Sequence, residues 1–298
     1  MPENRPLDPP QAAPFLKWAG GKSQLLEQYA PFFPERAETY YEPFVGSGAV
    51  FFYLRGRGFA RRYCLYDINE ELINVYQVVQ GRLEELIELL AGHQARHSRA
   101  YYYEVRNRDR DPAWQKASAV ERAARMIYLN KTCYNGLWRV NSRGHFNVPM
   151  GRYRNPTILD EARLRAASAA LQGVEIAVRD FREPPMAGPT DFVYFDPPYH
   201  PLSETANFTG YSADDFDEDD QRDLARVYRE LAARGCRVML SNSDTPLVHA
   251  LYADYIIETV QARRAINTRA DRRGAISEVV VLNYQRRRRH TCRRYSND

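Results

Sequence analysis

The run "DFVYFDPPYHP", residues 191–201, sets a carboxylate, two prolines and a tyrosine directly after a string of strand formers. Phe192, Val193, Tyr194 and Phe195 read as a buried strand, which Pro197 and Pro198 end by removing two backbone N–H donors. Proline also holds the residue before it extended, so Asp196 and Pro197 offer a carboxylate and a carbonyl oxygen from a stiff platform. Its chemistry is that of a hydrogen-bond acceptor for something beyond the sheet. A strand followed by an ordinary proline-rich turn is the competing reading, and residues elsewhere in the chain bear on it.

In "YYEPFVGSGAVFF" a strand-like stretch runs into Gly46, Ser47 and Gly48 ahead of a helix-like segment. Glycines there permit positive φ and let a ligand approach the backbone. A dinucleotide fingerprint would need glycine at 51, where Phe51 stands, so a pyrophosphate site is disfavoured. Nineteen residues past Gly48, Asp67 of "YDIN" closes the next strand, placed to accept hydrogen bonds from ribose hydroxyls. Together these point to an adenosine-type ligand without requiring phosphates. Near the N-terminus, "FLKWAGGKSQLL" contains GKS, but Leu16 occupies the position where a P-loop needs glycine. Lys17, Trp18, a diglycine turn and Lys22 remain, and Trp18 reads equally well as core.

The elements that must position these residues alternate along the chain. Strands are expected at 39–44, 63–68, 174–180, 191–196, 237–243, 254–260 and 277–284. Helical spacing or start signals mark "KSQLLEQYAPFF", "GAVFFYL", "DEDDQRDLARVYRELAARG" and "TPLVHALY", with Gly235 a stop for the third. The pattern is α/β: an open, twisted, mostly parallel seven-stranded sheet, Rossmann-like, with ligands beyond the carboxyl ends of its strands. Residues 73–158 interrupt the rhythm, helical at first and then loop-like in "YNGLWRVNSRGHFNVPMGRYRNP". They read as an inserted, smaller, mainly helical domain, leaving 1–72 and 159–298 as a discontinuous main domain.

Composition narrows the classes further. Across 298 residues no stretch approaches the roughly 20 apolar residues that span a bilayer, and "MPENRPLDPPQAAP" lacks the features of an export signal. Cys64, Cys133, Cys236 and Cys292 form no CxxC pair, which argues against a zinc knuckle or disulfide scaffold and for a reducing cytoplasm. The net charge of +4 is concentrated: residues 285–298 hold six arginines and one aspartate, and the rest sums to about −1. This basic tail reads either as a phosphate-binding arm or as a solvated end.

The ordered set "FLKWAGGK", "EPFVGSGAVF", "YDIN", "YNGLWRVNSRGHFNVPMG", "DPPYHPLSETANFTGY" and "SNSD" resembles the Dam family of DNA adenine-N6 methyltransferases over roughly residues 15–284. DPPY is shared with other amino-group methyltransferases; the longer "DPPYHPLSETANFT" and "RVNSRGHFNVP" are more specific. The resemblance implies S-adenosylmethionine as cofactor and adenine in double-stranded DNA as substrate, within GATC. It implies direct transfer to a flipped base, with no metal, no membrane and a monomer sufficient. Asp196 and the Pro197 carbonyl would take the two amino hydrogens of adenine, and Tyr199 would stack on the base. Trp18, Lys22, Phe44, Gly46, Gly48, Asp67 and Asp196 would contact the cofactor. The inserted domain would read DNA through Tyr134, Asn135 and Arg139, with Lys17 nearby and Arg143, Arg152 and Arg154 on phosphates; an ordinary basic surface is the alternative for those three arginines.

Other classes share parts of this pattern. An N4-cytosine methyltransferase uses similar acceptors, although serine more often replaces the aspartate there. A cytosine-C5 mechanism needs a cysteine after proline, and no cysteine here follows one. A nicotinamide-dependent dehydrogenase would need a pyrophosphate loop, and a non-catalytic DNA-binding module has no use for Asp196-Pro197-Pro198-Tyr199.

Overall fold

The computed structural model describes residues 11–200, 216–262 and 276–285. The 201–211 part of the proline-tyrosine motif, Cys292 and the tail beyond residue 285 lie outside the described residues. Seven strands form one sheet: β1 Ala37–Glu42, β2 Ala60–Asp67, β3 Glu175–Val178, β4 Phe192–Phe195, β5 Arg237–Ser243, β6 Ile256–Ala262 and β7 Ile276–Leu282. Their order is β3-β2-β1-β4-β5-β7-β6. The pairs from β3 to β5 are parallel, whereas β7 is antiparallel to both β5 and β6. The fold is thus the mostly parallel, Rossmann-like sheet expected, with an antiparallel edge.

Nine helices are described: α1 Leu26–Tyr29, α2 Ala49–Arg55, α3 Glu70–Gly81, α4 Leu83–Arg96, α5 Arg99–Asn107, α6 Ala119–Thr132, α7 Glu161–Leu171, α8 Glu218–Ala233 and α9 Pro246–Leu251. Among the bounds that differ from the sequence expectation, two do so for a common reason. The first strand stops at Glu42 because Pro43 has no N–H for the ladder, and "KSQLLEQYAPFF" holds only a 3₁₀ turn and the single turn of α1 before Pro31 ends it. Gly235 does stop α8: its φ is +79°, its N–H donates to the Ala232 carbonyl, and that of Cys236 donates to Leu231.

The pleat sorts the core into two layers. Phe192 and Tyr194 of β4, with Met239, Val280 and Leu282, face α2, α3 and α7; Val193 and Phe195, with Val238, Leu240, Val279 and Val281, face α8 and α9. Burial on both faces explains why β4 is an uninterrupted apolar run. The 73–158 segment shares the first layer: residue 73 falls inside α3, and Ile127 and Leu129 of α6 belong to the same cluster as the sheet residues. Strand order reverses between β1 and β4, so the carboxyl ends of β2, β1 and β4 border one crevice. No described helix is long and apolar enough to cross a membrane.

Candidate active site

Asp196 leaves the end of β4 and is held by two partners. Lys22 Nζ lies 2.8 Å from its Oδ1, and the Ser241 hydroxyl of β5 donates to the same oxygen at 2.8 Å. Lys22 is buried, and its ammonium also donates to the Gly20 carbonyl at 2.6 Å, across a turn that φ +75° at Gly20 makes possible. No hydrogen bond from the described residues reaches Asp196 Oδ2 or the Pro197 carbonyl. Tyr199, half-buried, donates its hydroxyl to Glu278 Oε2 at 2.7 Å, and Lys22 Nζ stands 4.6 Å from its ring centroid. Burial, with Tyr29, Asp196 and Glu278 around it, pushes the Tyr199 phenol well above its ordinary range, so it is a neutral donor.

The loop that carries these groups is braced from below. Gln221, wholly buried in α8, donates to the Pro198 carbonyl at 3.0 Å and accepts from Asn242 at 2.9 Å. Asn242 in turn accepts the His200 N–H at 3.3 Å, and the Ser243 hydroxyl donates to the His200 carbonyl at 2.7 Å. All three polar side chains of "SNS" in β5 therefore face the Asp196–His200 loop.

A second group sits at the ends of β1 and β2. The Asp67 carboxylate accepts from the Gly46 N–H at 3.2 Å and from the Asn69 N–H at 3.0 Å. Burial outweighs these donors and pushes its pKa up to about 6. Gly46 and Gly48 have φ of +46° and +69°, and each is closely approached. A Cβ at 46 would fall 2.9 Å from Trp18 Cδ1, and one at 48 would fall 2.8 Å from the Tyr76 hydroxyl. Trp18 thus lies half-buried against the glycine turn, while Phe44 packs with Phe181, Phe195 and Phe216 beneath it.

Sequence reasoning missed three residues here. Ile68, 66% exposed next to Asp67, presents apolar surface at a crevice rim. Glu42, buried at the end of β1, accepts from Tyr40 at 2.8 Å, and burial drives its carboxyl well above the usual range. Gln221 is the brace described above. An acid ending an apolar strand and an isoleucine inside "YDIN" were the available signals for the first two.

The residues expected on DNA gather on another edge. Tyr134 and Asn135 are exposed on a short 3₁₀ turn in which Asn135 has φ +55° and Gly136 has φ +67°. Residues 139–147 form a hairpin closed by the Val140 and Phe146 pairing, with Arg143 in the Asn141–Gly144 turn. Arg139 is exposed and its Nε donates to Asn147 at 2.7 Å; Arg143, Arg152 and Arg154 are exposed as well. Lys17, remote in sequence, is brought beside this segment, its ammonium 4.2 Å from the Tyr153 ring centroid. Lys22 stands apart from it, on Asp196.

Residues 18–266, which include Lys22, Asp67, Asp196 and the 134–154 segment, match the D12 class N6 adenine-specific DNA methyltransferases. The chain belongs to that family. It is 44% identical over 274 residues to a type II methyltransferase of Lactococcus lactis subsp. cremoris, covering 91% of this chain and 95% of that protein. A type II methyltransferase of Methanocaldococcus jannaschii is 43% identical over 289 residues, covering 92% of this chain and 100% of that one. The DNA adenine methylase of Escherichia coli K12 is 37% identical over 274 residues, covering 90% and 94%. The chain is thus an adenine-specific DNA methyltransferase, which sets aside the cytosine, dehydrogenase and purely DNA-binding alternatives. Its reaction calls for a methyl donor and a DNA substrate. Among the described residues no group of three or more His, Cys, Asp or Glu side chains is arranged to hold a metal ion.

Proposed function

We propose that this methyltransferase uses S-adenosylmethionine and methylates adenine N6 in double-stranded DNA, within GATC, after the target base has swung out of the helix. One observation carries the reading: Asp196 is pinned through Oδ1 by Lys22 and Ser241, beside the Pro197 carbonyl, at the sheet edge where β1, β2 and β4 end.

The residues present fit the donor. The glycine turn, where a Cβ at 46 or 48 would meet Trp18 or Tyr76, points the Gly46 N–H at Asp67 and so fixes that carboxylate at the end of β2. Asp67 supplies a carboxylate for ribose hydroxyls, and exposed Ile68 beside it supplies an apolar face for an adenine ring. When bound, S-adenosylmethionine supplies an electrophilic methyl on a sulfonium and departs as the neutral thioether.

The chain's own residues then activate the acceptor. Adenine N6 is a weak nucleophile because its lone pair is conjugated with the ring. Two acceptors on its hydrogens, Asp196 Oδ2 and the Pro197 carbonyl, draw that lone pair out of conjugation and fix its direction. As the N–C bond forms and the S–C bond breaks, the nitrogen becomes cationic and sheds one proton toward Asp196. The gain comes from orientation and from electrostatics fixed in advance by Lys22, Ser241 and Gln221. Tyr199, its hydroxyl anchored on Glu278, offers a ring for the extruded base.

GATC rests on the resemblance to Dam proteins. Sequencing of modified bases in DNA from cells expressing the chain reads both the base and its context. Methylated adenine within GATC is expected; methylation of adenine in another context would overturn the target while leaving the chemistry, and unmodified DNA would overturn both.

A further inference from the structure

Asn130 lies in the last turn of α6, completely buried, and spends its whole donor capacity on two backbone segments. Its Oδ1 accepts the Lys17 N–H at 2.9 Å; its Nδ2 donates to the Lys17 carbonyl at 2.6 Å and to the Gly136 carbonyl at 2.8 Å. One amide therefore fastens residue 17 to the turn at 134–136, although 113 residues separate Lys17 from Asn130. The joint is tight as well as bonded. A Cβ at Gly136 would fall 2.6 Å from both Cβ and Cδ of Lys17. From this joint the exposed side chains of Lys17, Tyr134 and Asn135 all emerge.

We infer that Asn130 is a positioning residue for target discrimination, holding Lys17 and the Tyr134–Gly136 turn in one rigid register. Bidentate reading of a base edge tolerates little displacement, so side chains from two remote segments can read one site only if their backbones are locked together. A buried amide satisfied on both sides does this with three hydrogen bonds, and nothing else of similar size offers one acceptor and two donors there. Aspartate keeps the acceptor for the Lys17 N–H but turns an oxygen toward two carbonyls. The inference rests on the reading that Lys17, Tyr134, Asn135 and Arg139 face DNA.

The experiment measures methylation rates of the full chain on a duplex carrying its own mapped site and on duplexes with one base pair changed. The ratio of these rates does not depend on the fraction of active protein, so a purely structural defect leaves it unmoved. Asn130→Ala and Asn130→Asp are expected to lower the ratio about tenfold, corresponding to about 1.4 kcal/mol, while donor affinity measured by calorimetry is retained. A rate loss equal on every duplex overturns the inference. Lys17→Ala and Arg139→Ala run alongside: if they lower the ratio and the Asn130 variants do not, the inference alone fails. If none of them changes it, the DNA-facing reading of this edge fails and takes the inference with it. Should both Asn130 variants fail to fold, Gly136→Ala displaces Lys17 from the other side of the same joint, and the same ratio decides.

Discussion

Lys22 Nζ sits 2.8 Å from Asp196 Oδ1 with the lysine almost wholly buried, so the first motif of the chain closes directly onto the acceptor group at the end of β4. The pair fixes one carboxylate oxygen and so determines which oxygen faces the crevice. It also makes each partner costly to remove alone, because the survivor is left as an uncompensated charge.

Asp196→Ala is expected to abolish methyl transfer and to strand the Lys22 ammonium, costing about 3–5 kcal/mol of stability. Adding Lys22→Met removes that stranded charge, so the double variant should regain most of the lost melting temperature and none of the turnover. Thermal unfolding and labelled-methyl incorporation measure the two effects separately. Turnover in the double variant would remove Asp196 from the chemistry.

At the glycine turn, Gly46→Ala combines a left-handed backbone with a Cβ 2.9 Å from Trp18 Cδ1. A non-glycine residue there costs about 1–2 kcal/mol before any contact is counted. Because Trp18 must move, donor affinity should fall further than stability does, with DNA affinity retained. Equilibrium binding of S-adenosylmethionine and of a duplex oligonucleotide tests this; equal weakening of both would mean that the turn serves the fold alone.

The parts legible in the sequence are those written locally. β4 and β5 are runs bounded by Gly or Asp, Asp196 and Asp67 stand at the ends of β4 and β2, and the glycines follow β1. Strand order was not legible, because pairing β7 between β5 and β6 is a long-range choice. That Lys22 would pair with Asp196 and stand over the Tyr199 ring was not legible, and Gln221 looked like one more polar residue on α8. Both depend on which distant segment arrives beside them. The 134–154 segment looked like loop and is partly a hairpin; Asn141, Ser142 and Gly144 supply turn chemistry that the surrounding polar residues disguised.

Asp67 gives the pH dependence its sign. Burial raises its carboxyl from an ordinary 3.8 to about 6, so the folded chain holds that proton more tightly than the unfolded one. The stability this lends is full below pH 3.8 and is lost as pH rises through about 6. Donor binding runs the opposite way, since ribose hydroxyls need the carboxylate as acceptor. Affinity for S-adenosylmethionine should be level above pH 7 and fall toward tenfold per unit below about 6. Calorimetric titrations between pH 5 and 8 check the slope, and Asp67→Asn should flatten it; a slope that survives in that variant assigns the titration to another group.

Arg139 distinguishes reading from holding. Its guanidinium is exposed on the hairpin, and Nε donates to Asn147 at 2.7 Å, which orients the fork; neither terminal nitrogen has a hydrogen-bond partner among the described residues. A fork so oriented suits the two acceptors on a guanine edge better than a single phosphate oxygen. Arg139→Ala should therefore cost about 1–3 kcal/mol on the mapped site and relax discrimination at one base pair. Asn147→Ala, which frees the fork without removing it, should give a smaller loss at the same base pair. Competition binding across duplexes substituted at each position, at fixed salt, provides the measurement. Uniform weakening over all of them, together with a shallower dependence on salt, would make Arg139 a phosphate contact.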